Sequence, residues 1–262
     1  MRALVAAVTM FVVCAVAGSQ QDVRVARLVE QFKNEAVFWR QYEVARKLAT
    51  VADHGVLQAL APLLADEDRH VRANAAFVFA RLGDRRGFET LTAILADHSD
   101  RPPGQGVAVT SFNTVPRWPV ARQIEADRYY AVHILGELKE RRAVEVLLPL
   151  LADSDVNYKV MWALGEIGDR RAVSPLIQAL QDVDPLVRVS AILALETLHA
   201  TEAIPQLRRL LDDQAVPRAG PQVPVADTAK AAIAKLQKGP LTTACTRRRS
   251  VVSRRAAGEA RR

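Results

Sequence analysis

Cysteine and aromatic residues are scarce in this chain of 262 residues. It contains two cysteines, and Phe, Trp and Tyr together account for 5% of its residues. Half of the residues are apolar, which is enough to bury a large core in a chain of this length. If residues 1–17 are removed, as predicted below, Cys245 remains alone and no internal disulfide can form. The composition therefore excludes a small disulfide-stabilised fold.

The chain also lacks the sequence patterns of common active sites. It has no Cys/His spacing typical of zinc sites, no Gly-x-Ser-x-Gly turn and no phosphate-binding glycine loop. None of its histidines is followed directly by glutamate; they are His54, His70, His98, His133 and His199. We therefore expect no catalytic residue, no metal site and no cofactor.

No apolar run reaches the roughly 20 residues that a membrane-spanning helix needs. The apolar run at residues 3–17 follows Met1-Arg2 and ends in the small-x-small pattern Ala15-Val16-Ala17, which is typical of a cleaved secretory signal. An uncleaved anchor and a lipid on Cys14 are the alternatives. We predict a signal peptide at residues 1–17, no transmembrane span after its cleavage, and an exported protein that is periplasmic or secreted.

Positive charge is concentrated at the C-terminus. Of the net charge of +7, Arg2 contributes +1 and residues 246–262 contribute +6, from seven Arg and Glu259, so residues 18–245 sum to zero. Residues 240–262 are therefore predicted to be a basic, disordered tail that is either solvated or in contact with an acidic surface. The neutral remainder gives no electrostatic argument for nucleic-acid binding.

What the chain does contain is a repeat of about 30 residues. Five segments share an apolar first residue, leucine three and seven positions later, and aspartate nine positions later. The first residues are Leu57, Phe88, Val144, Val173 and Ile204, and the aspartates are Asp66, Asp97, Asp153, Asp182 and Asp213. Offsets of three and seven lie on one face of an α-helix, so each segment predicts an amphipathic helix.

A second predicted helix follows each of these segments, with starts at Val71, Asp127, Val156 and Val187. Small residues stand four positions after each start and large apolar residues eight positions after it. Gly83 and Gly168 are expected to end two of these helices, because glycine is favoured just beyond a helix C-terminus. The arginine after three of the starts is expected to reach the aspartate of a neighbouring copy; these are Arg72, Arg128 and Arg188.

The stretches from Val71-Arg72 to Gly83-Asp84 and from Val156 to Gly168-Asp169 resemble HEAT repeats of the type named after the phycobilisome lyases. The resemblance covers residues 22–239, with a degenerate first copy and a last copy as caps. It implies an all-α fold, a right-handed α-solenoid of about six helix pairs. A bilin-lyase activity is the enzymatic alternative, which we disfavour because an export signal does not suit it and because a shared fold does not transfer function.

The third and seventh positions of the second helices are expected to face the concave surface of the stack. They read Ala73/Phe77, Tyr129/His133, Tyr158/Trp162 and Val189/Leu193. Contiguous apolar surface marks binding sites, and Tyr and Trp are favoured there. The predicted contacts to a protein or peptide partner are Phe77, Tyr129, His133, Tyr158, Trp162 and Leu193. Two alternatives stay open: neighbouring side chains cover these rings, or the surface packs against another copy of the chain in an envelope structure.

Two insertions interrupt the turn between the helices of a pair. One lies at residues 101–122 and the other between Asp213 and Val225, and both are rich in Pro and Gly. Because they interrupt the same turn, both are expected along one edge of the solenoid, where long loops commonly serve recognition. The predicted partner contacts in the first insertion are Phe112, Arg117 and Trp118, unless the loop is a tolerated decoration.

Overall fold

The computed structural model describes residues 22–35, 37–51, 54–99 and 120–238. The predicted signal peptide, the tail at 240–262 and the insertion residues Phe112, Arg117 and Trp118 lie outside these ranges. Within them every regular element is a helix. The chain divides into two compact units, Met1–Asp169 and Arg170–Arg262.

The described part of the first unit contains four helix pairs. Their helices are α1 (22–34), α2 (Phe38–Val51), α3 (His54–Leu60, continued by a 3₁₀ turn at Ala61–Ala65), α4 (Arg69–Arg81), α5 (Arg85–Ala96), α6 (Val120–Glu137), α7 (Ala143–Leu147, continued by Leu148–Ala152) and α8 (Asn157–Ile167). The second helices α2, α4, α6 and α8 pack side by side in this order. They form the layer on which the candidate site is built.

The described part of the second unit contains two further helix pairs. They comprise α9 (Val173–Ala179), α10 (Pro185–Thr197), α11 (Ile204–Arg208) and α12 (Val225–Lys238). Short 3₁₀ turns at Arg170–Ala172 and Thr201–Ala203 precede α9 and α11. The second helices α10 and α12 contact each other as their counterparts in the first unit do.

The helix ends follow from the recurring polar residues and glycines. Asp68, Asp84 and Asp184 are N-caps, and each side chain accepts a hydrogen bond from the backbone amide two residues later. Gly83 and Gly168 have φ of 79° and 76°, as predicted for residues that end a helix in the left-handed conformation. The turns at these residues lead directly into the next helix pair.

The apolar pattern of the second helices is confirmed as the core. The small residues four positions after each start are fully buried, and so are the large ones eight positions after it; they are Ala75, Ala131, Val160, Ala191, Phe79, Leu135, Leu164 and Leu195. Burial of this repeated stripe is the main favourable contribution to the fold, at about 25 cal/mol per Å² of apolar surface.

The predicted ladder of arginine and aspartate is confirmed. Arg72 Nη2 lies 3.7 Å from Asp97 Oδ2, Arg128 Nη2 lies 2.6 Å from Asp153 Oδ2, and Arg188 Nε lies 2.8 Å from Asp213 Oδ2. In each case the arginine reaches the aspartate of the following copy. These contacts connect successive repeats and explain why both residue types recur.

The boundary of the first insertion differs from the prediction. Helix α6 begins at Val120, inside the predicted insertion 101–122. The second insertion, between Asp213 and Val225, is held by backbone hydrogen bonds from Val225 to Ala215 and from Ala226 to Asp213. Among the residues described, no helix is both long and apolar enough to cross a bilayer.

Candidate partner-binding site

Five partly exposed rings line the layer of second helices in the first unit. Trp39 comes from α2, Tyr129 and His133 from α6, and Tyr158 and Trp162 from α8; we call these five residues the aromatic face. The His133 and Trp162 rings stack at 4.9 Å between centroids, and the Tyr129 and Tyr158 rings lie 5.9 Å apart. Trp39 meets His133 edge-on at 6.2 Å. The structure therefore brings together four of the predicted contact residues.

A layer of buried rings lies beneath the aromatic face. It consists of Phe38, Tyr42, His70, Phe77 and Tyr130. Phe38 contacts Tyr130 at 4.1 Å and His70 at 4.7 Å between ring centroids. The buried rings connect to the face above through the Trp39–Tyr130 and Tyr129–Tyr130 contacts, at 5.0 and 5.6 Å. Edge-on and offset ring pairs of this kind add about 0.5–1.5 kcal/mol beyond area burial, so the face rests on a rigid base.

The exposure predicted for Phe77 is wrong. Its side chain is 3% exposed, because Tyr42 of α2 packs against it edge-on at 5.0 Å between centroids. Phe77 therefore supports the aromatic face from below. Its partner in the predicted pair, Ala73, is buried as well.

Glu137 is the polar centre of the α2–α6 contact. The Tyr42 hydroxyl donates a hydrogen bond of 2.6 Å to Glu137 Oε2. Arg46 Nε lies 3.7 Å from Glu137 Oε1, and His133 Nε2 lies 3.8 Å from Oε2. Burial raises the pKa of Tyr42, and the bond to the carboxylate raises it further. One carboxylate thus holds three side chains from two helices in place.

Lys159 lies across the rings of α6 and α8. Its Nζ is 3.7 Å from the Trp162 ring centroid and 4.9 Å from that of Tyr129. Cation–π contacts of this kind are worth about 0.5–2 kcal/mol. Burial nevertheless lowers the pKa of Lys159 to about 8, since the half-buried ammonium has lost part of its hydration. The predicted aromatic surface therefore carries a cation of its own chain.

His133 is a neutral, ring-packed histidine at pH 7. Its side chain is 23% exposed, and burial followed by the charge of Lys159 lowers its pKa to about 4. Stacking on Trp162 accounts for its place in the face. No cluster of His, Cys, Asp or Glu suited to a metal ion occurs in the part of the chain that the structure describes.

The distance between α6 and α8 is set at Gly136. A Cβ atom at this residue would lie 2.8 Å from Cζ3 of Trp162 and 2.9 Å from Cα of Ala163. Contacts this short do not occur for real Cβ atoms, so only glycine permits the observed approach. The same approach places the Trp162 ring on the α6 surface next to His133.

A buried ion cluster fixes the N-terminal end of α4 against the middle of α6. Asp127 is 1% exposed; its Oδ1 lies 3.0 Å from His70 Nε2 and its Oδ2 lies 3.5 Å from Arg69 Nη1. Arg69 also pairs with Asp97 at 2.9 Å and donates to the backbone oxygen of Ser99 at 2.6 Å. The pairing with Arg69 lowers the pKa of Asp97. Since His70 belongs to the buried rings, the cluster anchors them.

Leu193 belongs to the second unit, where its side chain is 43% exposed on α10. Val189, the other predicted surface residue of that helix, is buried. The second unit presents further exposed aliphatic side chains, Leu211, Val216 and Val223 among them. Phe112, Arg117 and Trp118 lie outside the described residues, so their part in a site stays a prediction.

Sequence reasoning missed the contribution of the first copy. Trp39, Tyr42 and Arg46 stand on α2, whose apolar pattern is weak. If Val44 is aligned with Ala75, Tyr42 and Arg46 fall at the third and seventh positions of the register. This alignment was the signal in the sequence that could have placed them beside Phe77 and His133.

Comparisons with known proteins agree with the repeat pattern. A family model described as HEAT repeats matches residues 25–108 and 152–219, and one described as PBS lyase HEAT-like repeat matches residues 127–153. These matches and the helical structure confirm the predicted fold class. No curated protein sequence matches the chain.

Two solved structures similar to this chain are those of an engineered and a designed protein. One is an engineered protein whose crystal structure came from a structural genomics consortium, with 20% identity over 82% of this chain and 97% of that chain and a TM-score of 0.45. The other is a designed armadillo repeat protein, with 20% identity over 80% of this chain and 98% of that chain and a TM-score of 0.41.

Proposed function

Because this chain belongs to the HEAT repeat family, we propose that it is an exported scaffold that binds a protein or peptide partner. The binding surface is the aromatic face, and the loop at residues 101–119 contributes at one edge. The role is binding rather than catalysis, in keeping with repeat folds that present extended surfaces to partners. The signal-like residues 1–17 support a periplasmic or secreted location.

The observation that carries this proposal is the distribution of aromatic residues. Residues 163–262 contain no Phe, Trp or Tyr, yet they include two complete helix pairs. The repeat fold therefore does not require rings. In the first unit rings gather on one helix layer and five of them stay partly exposed. Rings of this type are favoured anchors of protein interfaces, and exposed apolar clusters mark such sites.

The arrangement of the face also supports binding. The buried rings, the Glu137 contacts and the close approach at Gly136 hold the face in one conformation. Ordering a side chain on binding costs about 0.5–1.5 kcal/mol, so rings already ordered in the free protein save this cost.

The test is a crosslinking capture from envelope extract with the mature chain as bait. Three baits are compared: the unchanged chain, a Tyr129→Ala/Trp162→Ala variant, and a Leu211→Ala control that removes an exposed apolar side chain of the second unit. We expect one protein to be captured by the unchanged chain and the control and lost from the double variant. Equal capture by all three would refute the aromatic face as the binding surface.

Self-assembly is the second candidate, because the second unit exposes Leu193, Leu211, Val216 and Val223. Sedimentation velocity over a range of concentrations distinguishes it. A stable dimer weakened by Leu211→Ala would mean that these side chains of the second unit pair copies of the chain, whereas one weakened by Tyr129→Ala/Trp162→Ala would mean that the aromatic face does. The N-terminus of the purified native protein tests export, since cleavage after Ala17 leaves Gly18 as the first residue.

A further inference from the structure

The register of the repeat explains why Lys159 is half-buried. It stands three residues after Val156, the start of the second helix in its copy. Asn74 and Tyr130 occupy the same position in the second helices of their copies. Asn74 is fully buried and donates from Nδ2 to Gln41 Oε1 of α2 at 2.9 Å, and Tyr130 is buried against His70 of α4, at 5.2 Å between ring centroids. This position packs on the preceding repeat. A lysine here places its ammonium on the rings of α6 and α8 instead of in water.

Among the side chains that the structure describes, the carboxylates around the aromatic face are already engaged. Glu137 contacts Tyr42, Arg46 and His133, and Glu166 Oε2 lies 3.8 Å from Lys139 Nζ. Lys159 forms no ion pair with any residue described, and Glu166 acts on it only at longer range. It is therefore a half-buried cation with ring contacts and without a carboxylate partner in this part of the chain.

We propose that Lys159 is the anchor for a carboxylate of the partner, so that the aromatic face takes an acidic peptide segment. This inference rests on the proposed function and specifies its partner. The carboxylate pairs with the Lys159 ammonium, and apolar groups beside it contact Trp162, Tyr129 and Tyr158. A lone ammonium between ring faces suits a single carboxylate, whereas phosphate groups favour clustered arginines.

The charges elsewhere in the chain indicate that the carboxylate bound by Lys159 comes from a partner and not from another segment of this chain. Residues 101–119 contain two arginines and no acidic residue, and residues 240–262 contain seven arginines and only Glu259. Neither segment offers a run of carboxylates to Lys159.

The experiment selects short random peptides displayed on phage against the full-length chain. Enriched peptides are synthesised with blocked termini and a fluorophore, and their Kd is measured by fluorescence anisotropy. The variants are Lys159→Gln, Trp162→Ala, Tyr129→Ala and a matched control for the first, Lys47→Gln, which removes the same charge from an exposed site in the same unit. Each carboxylate of the peptide is also replaced by its amide, which completes a double-mutant cycle with Lys159.

We expect enrichment of Asp and Glu, binding weakened about tenfold or more by Lys159→Gln, and little change with Lys47→Gln. One peptide carboxylate should show coupling to Lys159 in the cycle. Peptides that need Trp162 or Tyr129 but are indifferent to Lys159→Gln would overturn the carboxylate site and leave the proposed function standing. Peptides indifferent to Trp162→Ala and Tyr129→Ala, or no selected peptide, would overturn both. Circular dichroism melts confirm that each variant is folded.

Discussion

The two units of this chain build the same helix pairs from different side chains. In the first unit, α2, α4, α6 and α8 carry eleven rings, counting His70 and His133, and a buried ion cluster around Asp127. In the second, α10 and α12 pack through Val, Leu, Ile and Ala alone. The Asp N-cap and the Arg–Asp contact occur in both. What is common to the units therefore maintains the fold, and what is confined to the first is available for function.

The difference has a practical use, because all three tryptophans lie in the first unit, at residues 39, 118 and 162. Tryptophan fluorescence then reports the unfolding of the first unit, whereas far-ultraviolet circular dichroism reports both. The predictions that follow use these two signals to separate the units.

The largest expected effect is that of removing Asp127. An Asp127→Ala substitution leaves Arg69 and His70 without their buried carboxylate and should lower the free energy of unfolding of the first unit by about 3–5 kcal/mol. Asp213→Ala, in the partly exposed pair of the second unit, should cost about 1 kcal/mol. Urea titrations followed by both signals check this. Equal losses of unfolding free energy in the two variants would contradict the expectation that the buried cluster around Asp127 contributes more than the Arg188–Asp213 pair.

The next effect concerns acid sensitivity. The pKa of His133 is lowered to about 4 in the folded chain, against an ordinary value of 6.5, so the unfolded chain binds more protons between these values. The free energy of unfolding should therefore fall as pH drops from about 6.5 to 4, by about 2–3 kcal/mol from this group. His133→Phe keeps a ring against Trp162 and should lose this part of the slope. Parallel pH profiles for the two proteins would contradict the assignment.

The third effect is on partner binding. Trp162→Ala should weaken binding by about 2 kcal/mol, as for a central aromatic anchor, and Leu193→Ala in the second unit by well under 1 kcal/mol. Titration calorimetry with the captured partner measures both. A larger loss of binding free energy from Leu193→Ala than from Trp162→Ala would indicate that the binding site lies in the second unit.

The smallest effect is a gain in stability. Lys159→Met removes a half-buried ammonium and should raise the free energy of unfolding by about 1 kcal/mol at pH 7 while it weakens the binding of acidic peptides. In the unchanged chain the pKa of Lys159 is lowered to about 8, so stability should rise between pH 8 and 10.5, because the folded chain has released this proton while the unfolded chain still holds it. The Met variant should lack this rise, and Lys47→Met should retain it. A destabilised Lys159→Met variant would mean that the ring contacts outweigh the lost hydration.

The same cation sets an upper pH limit on binding. A carboxylate partner requires the protonated ammonium, so its affinity should be constant between about pH 5, where Asp and Glu of the peptide are ionised, and about pH 8, and should fall above pH 8. Neither His133, whose pKa is about 4, nor Tyr129, whose pKa is raised, changes charge in this window.

Offsets within the repeat predicted the helices, their glycine ends, the buried stripe and the Arg–Asp contacts. These features depend on local spacing and on neighbouring copies alike in sequence. The same regular spacing explains why the sequence predicted one shared surface for Tyr129, His133, Tyr158 and Trp162. The prediction that Phe77 is exposed was wrong, because Tyr42 of α2 covers its ring. Helix α2 belongs to the degenerate first copy, so the repeat pattern did not indicate this contact. The contact of Lys159 with two rings depends on the distance between α6 and α8, which periodicity does not specify.

The distance between α6 and α8 depends on the absence of a Cβ atom at Gly136. Gly136 is buried between α6 and α8 and lies against the Trp162 ring. A single methyl at this residue forces α6 and α8 apart, and His133, Lys159 and Trp162 separate with them. The spacing of the rings on the aromatic face is thus an adjustable dimension of the scaffold, and a single buried residue sets it.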